Sequence, residues 1–270
     1  MIASCGCMDI SRLSLGNLKN KDGSAGGCPV NQKGNKMVYR CLNFAHRYVF
    51  PPYCRLCGAP GHRGLDICKE CDSSLPKADA GCRQCGMPLA TGDDVICGRC
   101  LRQPPDYDAV YAAFAYDYPL DKLIKALKFD ASLAAARLLG ELMGRTLAKT
   151  GNRQADAIVP VPLHKTRLRE RGYNQATELA KQVRKYIPAS LRTDLIERSR
   201  HTQIQSELPA KARRGNVRGA FRLKKANVPP RVAVLDDVMT TGCTVNEIAK
   251  LLKRAGAEQV EIWVVARAFK

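Results

Sequence analysis

Hydrophobic and polar positions alternate in two regular ways along the second half of the chain. Short apolar runs predict buried strands at residues 107–116, 157–161, 191–196, 231–235 and 259–265. Apolar residues at helical spacing predict helices at 119–129, 132–149 and 174–186, and a fourth whose apolar face begins at residue 245. Because strands and helices alternate, the pattern indicates an α/β fold: a mostly parallel sheet with flanking helices and ligands at the carboxyl ends of the strands.

The strand predicted at 231–235 leads directly into two acids and a small polar loop. The acids are Asp236 and Asp237, and the loop residues are Thr240, Thr241, Gly242, Cys243 and Thr244. Backbone N–H groups of such a loop, together with the dipole of the helix that follows, favour a bound phosphate. Adjacent carboxylates suit sugar hydroxyls or a phosphate-bound Mg²⁺. The arrangement predicts a site for a phosphorylated sugar, in which Cys243 is a small loop residue or, alternatively, a nucleophile.

A basic segment, residues 163–174, follows the strand predicted at 157–161. Parallel strands end at one edge of a sheet, so we expect this segment to lie beside Asp236. Its cations, which include Arg167 and Arg171, can meet pyrophosphate oxygens, and Arg does so in a bidentate way that Lys cannot. His164 is a candidate acid or base, although capping or orienting the segment is the prediction we favour.

The whole chain is strongly basic, with a formal net charge of +19 over 270 residues. Nine Lys and Arg residues against one acid lie within 198–225, a stretch that opens with Arg198 and Arg200. Such a surface attracts polyanions, either a phosphorylated small molecule or nucleic acid, although a solubilising basic face has the same composition. No stretch approaches the roughly 18 apolar residues of a membrane span, and the N-terminus lacks the features of a signal peptide. We therefore expect a cytoplasmic protein.

Thirteen cysteines in such a compartment favour metal over disulfides. Eight of them form four Cys-x-x-Cys pairs: Cys54/Cys57, Cys68/Cys71, Cys82/Cys85 and Cys97/Cys100. Two such pairs complete one tetrahedral structural Zn²⁺ site, so two zinc sites follow. Residues 54–60 recur as 82–88, and the repeat unit holds two pairs, which favours sequential pairing over an interleaved cross-brace. A redox dithiol is the competing interpretation of any single pair.

These patterns divide the chain into four parts. We expect a disordered leader at 1–36, a short helical segment at 37–53, a double zinc ribbon at 54–104 and an α/β domain at 105–270. Met37 opens a more ordered-looking stretch, which raises the hypothesis that it is the true start.

The Asp236–Thr244 string resembles the signature of the type I phosphoribosyltransferases. The resemblance implies that Asp236 and Asp237 face the ribose hydroxyls of phosphoribosyl pyrophosphate (PRPP), and that Thr240 to Thr244 surround its 5′-phosphate. It also implies a mobile lid over the substrate within the basic stretch that begins at Arg198. Purine-salvage members place an acid where this chain has Thr240, so the departure favours an orotate-type or a non-catalytic protein.

A closer resemblance extends over residues 38–270, to the ComF family of ComFC- and GntX-like proteins. It rests on motifs in family order: residues 50–58, 116–129, 159–162 and 171–175, then Arg200, Thr202, Gln205, Arg213 and Asn216. This family joins a cysteine-rich zinc module to a type I phosphoribosyltransferase fold. The resemblance implies two structural Zn²⁺ ions, and Mg²⁺ with PRPP or a similar phosphorylated sugar. It further implies a role in DNA uptake, natural competence or use of external DNA, through single-stranded DNA and DNA-uptake proteins.

Three hypotheses about function remain open from sequence. The first is a ComF-like protein that binds PRPP, with pyrophosphate displacement at the anomeric carbon if catalysis occurs. The second is an orotate-like or base-salvage phosphoribosyltransferase. The third is a non-catalytic adaptor for single-stranded nucleic acid, against which the sequence shows no stacked-aromatic series.

Overall fold

The computed structural model describes residues 51–78, 81–90, 95–149, 154–200 and 217–269. The predicted leader and the predicted helical segment up to residue 50 lie outside the described residues, as does most of the predicted lid, 201–216. All described residues belong to one unit of the fold, Phe50–Lys270. No helix in these ranges combines the length and apolar character needed to cross a lipid bilayer.

The centre of the molecule is a five-stranded parallel sheet with strand order β1-β7-β6-β2-β3. A separate antiparallel pair is formed by β4 and β5. The strands are β1 (Ala109–Ala115), β2 (Ala157–Pro160), β3 (Ser190–Leu191), β4 (Ile196–Arg198), β5 (Phe221–Leu223), β6 (Arg231–Met239) and β7 (Gln259–Arg267).

Among the described residues, two short helices lie in the cysteine-rich module and five longer ones accompany the sheet. They are α1 (Lys69–Ser73), α2 (Gly98–Arg102), α3 (Leu120–Phe129), α4 (Leu133–Lys149), α5 (Lys165–Arg171), α6 (Gln175–Val183) and α7 (Cys243–Arg254). Helix α3 buries Leu120, Leu123, Ile124 and Leu127, the four residues whose spacing predicted it. The mostly parallel sheet and flanking helices predicted from the sequence are confirmed.

The strand order identifies where ligands should bind. The connection from β2 to β3 steps one way along the sheet and that from β6 to β7 steps the other way. Because parallel crossovers are right-handed, helices α6 and α7 cover opposite faces. A crevice therefore opens between the carboxyl ends of β2 and β6, the topological switch point at which α/β proteins bind ligands. Pairing of Pro160 with Leu235 brings these two ends side by side.

Three local predictions differ from the structure. Strand β6 continues through the two acids to Met239, because β7 pairs with it as far as Arg267. The single strand predicted at 191–196 is wrong: β3 and β4 belong to different sheets, joined by a turn around Asp194. Part of the basic segment is a helix, α5, which has no buried residue and therefore lacks the apolar periodicity by which helices are recognised.

The core lies between the sheet and its helices, and β7 runs through its middle. All but the first residue of β7 are buried, as expected of a central parallel strand covered on both faces. Trp263, the chain's one tryptophan, is fully buried, and its indole N–H donates to a carboxylate oxygen of Glu261 at 2.9 Å. The cysteine-rich module docks on β1, where the Val110 amide donates to the Arg83 carbonyl at 2.9 Å.

Candidate functional site

The two adjacent acids lie at the carboxyl end of β6, inside the crevice. A carboxylate oxygen of Asp236 accepts the Asp237 amide at 2.9 Å, and one of Asp237 accepts the Val238 amide at 2.6 Å. Asp237 is 7% exposed and Asp236 is half-buried. Burial, together with the neighbouring charge of Asp237, raises the pKa of Asp236 to about 7. The end of β6 therefore presents two adjacent carboxylates, which can bind a cation or accept hydrogen bonds from hydroxyl groups.

Lys128 at the end of α3 supplies the first such cation. Its ammonium lies 3.2 Å from a carboxylate oxygen of Asp237. Burial lowers the pKa of Lys128, but the charges of Asp237 and Asp236 outweigh it, so the pKa is raised and the side chain stays charged. Lys128 was not among the residues predicted from the sequence to bind ligand. The feature of the sequence that could have identified Lys128 is its position in the family motif of residues 116–129, directly after the buried Leu127 of α3.

Tyr173 holds the end of α3 in place beside the acids. Its hydroxyl donates to the carbonyl oxygen of Leu127, the residue before Lys128. Asn174 fixes the same segment, since its amide nitrogen donates to the Val161 carbonyl at 3.0 Å while its amide oxygen caps α6. These contacts join three separate parts of the sequence around the crevice, and only the fold reveals them.

Three of the four predicted pyrophosphate-binding arginines carry charges that act within the same crevice. Burial lowers the pKa of the Arg171 guanidinium, and the negative charge of Asp237 acts against this lowering. Burial also lowers the pKa of the Arg198 guanidinium, and there the negative charge of Asp236 acts against the lowering. The charge of Arg167 acts on both. A guanidinium nitrogen of Arg200 donates to the Arg218 carbonyl at 2.8 Å. The cluster that faces the acids therefore comprises Arg167, Arg171 and Arg198.

His164 starts helix α5. Its ring nitrogen Nδ1 accepts the Thr166 amide at 3.3 Å, in the manner of a helix N-cap. This contact favours the capping role over the acid–base role.

The predicted phosphate loop connects the end of β6 to the start of α7. Gly242 adopts a left-handed conformation (φ 77°) immediately before the first residue of α7, so the loop turns sharply into the helix. The Thr241 hydroxyl donates to the Cys243 sulfur at 3.2 Å, and the Asn246 amide donates to the Gly242 carbonyl at 2.9 Å. An α7 of twelve residues directs its N-terminal N–H groups and its dipole to this loop.

The eight module cysteines gather in two separate groups of four. Cys54, Cys57, Cys68 and Cys71 form the first zinc group, and Cys82, Cys85, Cys97 and Cys100 form the second zinc group, each with all sulfurs within 4.8 Å of one another. A tetrahedral ion with Zn–S bonds of about 2.3 Å requires sulfurs about 3.8 Å apart. The Cys57–Cys68 and Cys85–Cys97 sulfur distances are both 3.7 Å. The residues fit two structural zinc ions, and the grouping is sequential rather than interleaved.

These features define a class of protein, in which a module with two groups of four cysteines precedes an α/β domain with a parallel sheet. A family model of the double zinc ribbon domain matches residues 45–101. The chain is 37% identical over 224 residues to DNA utilization protein YhgH of Escherichia coli K12, covering 80% of this chain and 97% of that protein. It is 37% identical over 209 residues to competence protein F of Haemophilus influenzae, covering 75% and 90%. The chain belongs to the ComF family.

Other proteins share lower identity with the chain. Competence protein ComFC of Streptococcus pneumoniae is 26% identical over 205 residues, which cover 74% of this chain and 87% of that protein. Among solved structures, the allosteric regulatory enzyme of purine biosynthesis superposes with a TM-score of 0.33 at 21% identity, covering 48% of this chain and 25% of that one. A hypoxanthine phosphoribosyltransferase of Staphylococcus aureus gives 0.31 at 14% identity, covering 50% and 72%. Superpositions this partial carry no weight beside the strand order and the family relationship.

Proposed function

We propose that the crevice binds PRPP or a similar phosphorylated sugar together with Mg²⁺. One observation carries the proposal: an acidic pair on β6 and the phosphate loop that follows this strand share one sheet edge with Arg167 and Arg171, which follow β2. The loop suits a terminal phosphate, the acids suit ribose hydroxyls, and the arginines suit a diphosphate. The carboxylates are also oxygen donors of the kind that Mg²⁺ prefers.

The same arrangement supports a definite step if the protein transfers the ribosyl group. Pyrophosphate would leave from the anomeric carbon as the acceptor's lone pair forms the new bond there. Asp236 and Asp237 would stabilise the positive charge that develops on the ribosyl group, and Arg167 and Arg171 would stabilise the negative charge on the leaving group. Mg²⁺ would neutralise diphosphate charge. Thr240 stands where purine-salvage enzymes carry an acid, so an orotate-like acceptor suits the loop better than a purine.

The cellular role that we propose is DNA uptake or use of external DNA. It is supported by the relatives, whose names refer to DNA utilization and competence. One surface observation supports direct contact with single-stranded DNA. Tyr118 and Phe129 are 68% and 75% exposed at the two ends of α3, and the Lys122 ammonium lies 5.0 Å from the centre of the Tyr118 ring. Exposed aromatic rings beside cations provide stacking positions for bases.

Calorimetry with PRPP and Mg²⁺ on zinc-replete protein tests the binding proposal. We expect the wild type to bind, and Asp236→Ala/Asp237→Ala to weaken binding by at least a hundredfold. Glu258→Ala, an exposed acid at the opposite end of the sheet, is the matched control and should bind normally. A wild type that does not bind PRPP would exclude both the PRPP-binding protein and the phosphoribosyltransferase.

Single-strand binding is tested separately. Stacking contributes about 1–3 kcal/mol per base, so Tyr118→Ala/Phe129→Ala should weaken binding of an unstructured oligonucleotide about tenfold or more. Tyr53→Ala removes another exposed ring, 58% exposed in the zinc module, and should not. Equal effects of the two changes would place the DNA contact elsewhere. Strand binding that persists without any PRPP binding would favour the non-catalytic adaptor.

A further inference from the structure

One buried arginine connects the second zinc group to the phosphate loop. Arg267 ends β7 and is 3% exposed. Its Nε donates to the Cys85 carbonyl at 2.9 Å, on the module side. Its Nη1 donates to the Met239 carbonyl at 3.0 Å and to the Thr240 carbonyl, on the loop side. A single guanidinium therefore contacts both a metal-binding turn and the first residue of the phosphate loop.

The module side of this connection is closely fitted. A Cβ on Gly86, the residue after Cys85, would lie 3.7 Å from the Arg267 side-chain stem and 3.3 Å from Val110. The turn can follow the stem this closely because Gly86 has a left-handed conformation, with φ at 67°. The contact thus depends on the shape that the Cys82–Cys85 turn adopts when both of its sulfurs share one ion.

A cavity of about 340 Å³ lies between the module and the loop, lined among others by Cys100, Thr241, Gly242 and Arg267. The hydrogen bonds of Arg267 run along this cavity from the Cys85 turn to the first residue of the loop.

Charge makes the link sensitive to the metal. A Zn²⁺ ion with four thiolates carries a net charge of −2. In the described part of the chain no carboxylate forms an ion pair with Arg267, whose Nε instead contacts the Cys85 turn of the second zinc group. Because a buried cation is costly without compensating charge, the second zinc group is the natural counter-charge for this guanidinium. Loss of the ion or oxidation of its sulfurs would change both the charge and the turn geometry.

The first zinc group provides an internal contrast. Residues near this group contact other parts of the α/β domain. Arg55 donates to the Ser132 hydroxyl at 3.2 Å, just before α4, and the backbone of Lys77 forms an isolated antiparallel β-bridge with Phe114, near the end of β1. The two metal groups have the same ligands and the same sulfur spacing, but only the second meets Arg267 among the described residues.

We propose that Arg267 is a positioning residue: it holds the phosphate loop in its binding shape through the second zinc group, so that zinc at this site strengthens phosphate-ester binding at the loop. The proposal rests on the proposed function for its ligand and deepens it by adding the element that controls the site.

The test compares the two metal sites. Cys97→Ser should remove one zinc ion and weaken the binding of PRPP with Mg²⁺ at least tenfold, while Cys57→Ser should remove the other and change it less than threefold. Cys97→His, which keeps a zinc ligand at this position, should restore both zinc content and affinity. Arg267→Lys keeps the charge but cannot bond to the carbonyls of Cys85, Met239 and Thr240 together with that of Ala268, and should also weaken binding at least tenfold. Near-ultraviolet signals of buried Trp263 report whether each variant is folded.

Hydrogen exchange gives a readout that needs no ligand. Amides of residues 240–244 should exchange at least tenfold faster in Cys97→Ser and Arg267→Lys, and at the wild-type rate in Cys57→Ser. This contrast without PRPP binding by the wild type would sustain the positioning role and refute the proposed function. Equal exchange in both zinc-site variants, or wild-type affinity and exchange in folded Arg267→Lys, would overturn the inference.

Discussion

Asp236→Asn should make the protein more stable at neutral and alkaline pH while weakening its ligand site. The substitution keeps the side-chain oxygen that accepts the Asp237 amide, and it removes one of two adjacent negative charges. A carboxyl whose pKa is higher in the folded than in the unfolded state favours folding while it is protonated. It loses that contribution as the pH rises to its folded pKa. The wild type should therefore lose stability relative to the variant between about pH 4 and pH 7.

The size of the effect follows from the pKa. An increase from the ordinary 3.8 to about 7 corresponds to about 4 kcal/mol once both states are ionised. Asp236 keeps some solvent contact and its neighbours can relax, so we expect about 1–2 kcal/mol at pH 8.5. Part of this stability advantage of the variant is already present at pH 5.5, a pH at which the cysteines can still bind zinc as thiolates. Between these two values the advantage of the variant should grow by about 1 kcal/mol.

Urea unfolding at pH 5.5 and 8.5, followed by Trp263 fluorescence on zinc-replete protein, measures this change. Asp237→Asn is the informative contrast: it removes the partner of Lys128 and should destabilise the fold at both pH values. Glu258→Gln should give the same result as the wild type. The reasoning would be refuted if Asp236→Asn were less stable than the wild type at pH 8.5, or if its advantage did not change with pH.

Three further changes test other parts of the structure. Lys128→Met leaves the buried Asp237 carboxylate without this partner and should lower the free energy of unfolding by about 1–2 kcal/mol. Lys125→Met removes the exposed pair with Asp121 and should lower it by about 0.5 kcal/mol or less, so equal losses would contradict a stabilising Lys128–Asp237 pair. Gly242→Ala places a Cβ at positive φ only 2.7 Å from the end of the Met239 side chain, whereas Gly172→Ala places one at similar φ in open space. Calorimetric melting should therefore show a larger loss of stability for Gly242→Ala than for Gly172→Ala, and the reverse order would contradict the loop geometry. A chelator that removes both zinc ions should abolish the melting transition of residues 54–104, because metal binding supplies about 10 kcal/mol or more per site; an unchanged transition would exclude structural zinc.

Patterns within short stretches of sequence predicted much of the fold. Helix α3 was predictable because four buried residues repeat on one face, and β7 because a central parallel strand is apolar throughout. The zinc sites were predictable because ligand pairs need a fixed spacing. Helix α5 was not, since its one apolar residue, Leu168, is exposed, and nothing in the spacing of its charges requires a helix.

Contacts between distant parts of the chain explain what sequence reasoning missed in the site. Lys128 meets Asp237 across more than a hundred residues because α3 ends over the crevice. Arg267 meets Cys85 across an even longer separation because β7 ends beneath the zinc module. Lys128 lies within a family motif, but nothing in that motif says which side chain it meets, and Arg267 belongs to none of the motifs found in the sequence. The role of Arg200 stays a prediction: its one hydrogen bond named here is to the backbone carbonyl of Arg218.

A crystal structure of the zinc-replete protein with PRPP and Mg²⁺ tests the central claim most directly. The account predicts density for a phosphate within hydrogen-bond distance of the backbone amides of residues 241–244. It predicts ribose hydroxyls at Asp236 and Asp237, and a diphosphate beside Arg167 and Arg171. An empty crevice at saturating PRPP, or a ligand bound away from the β6 loop, would contradict it.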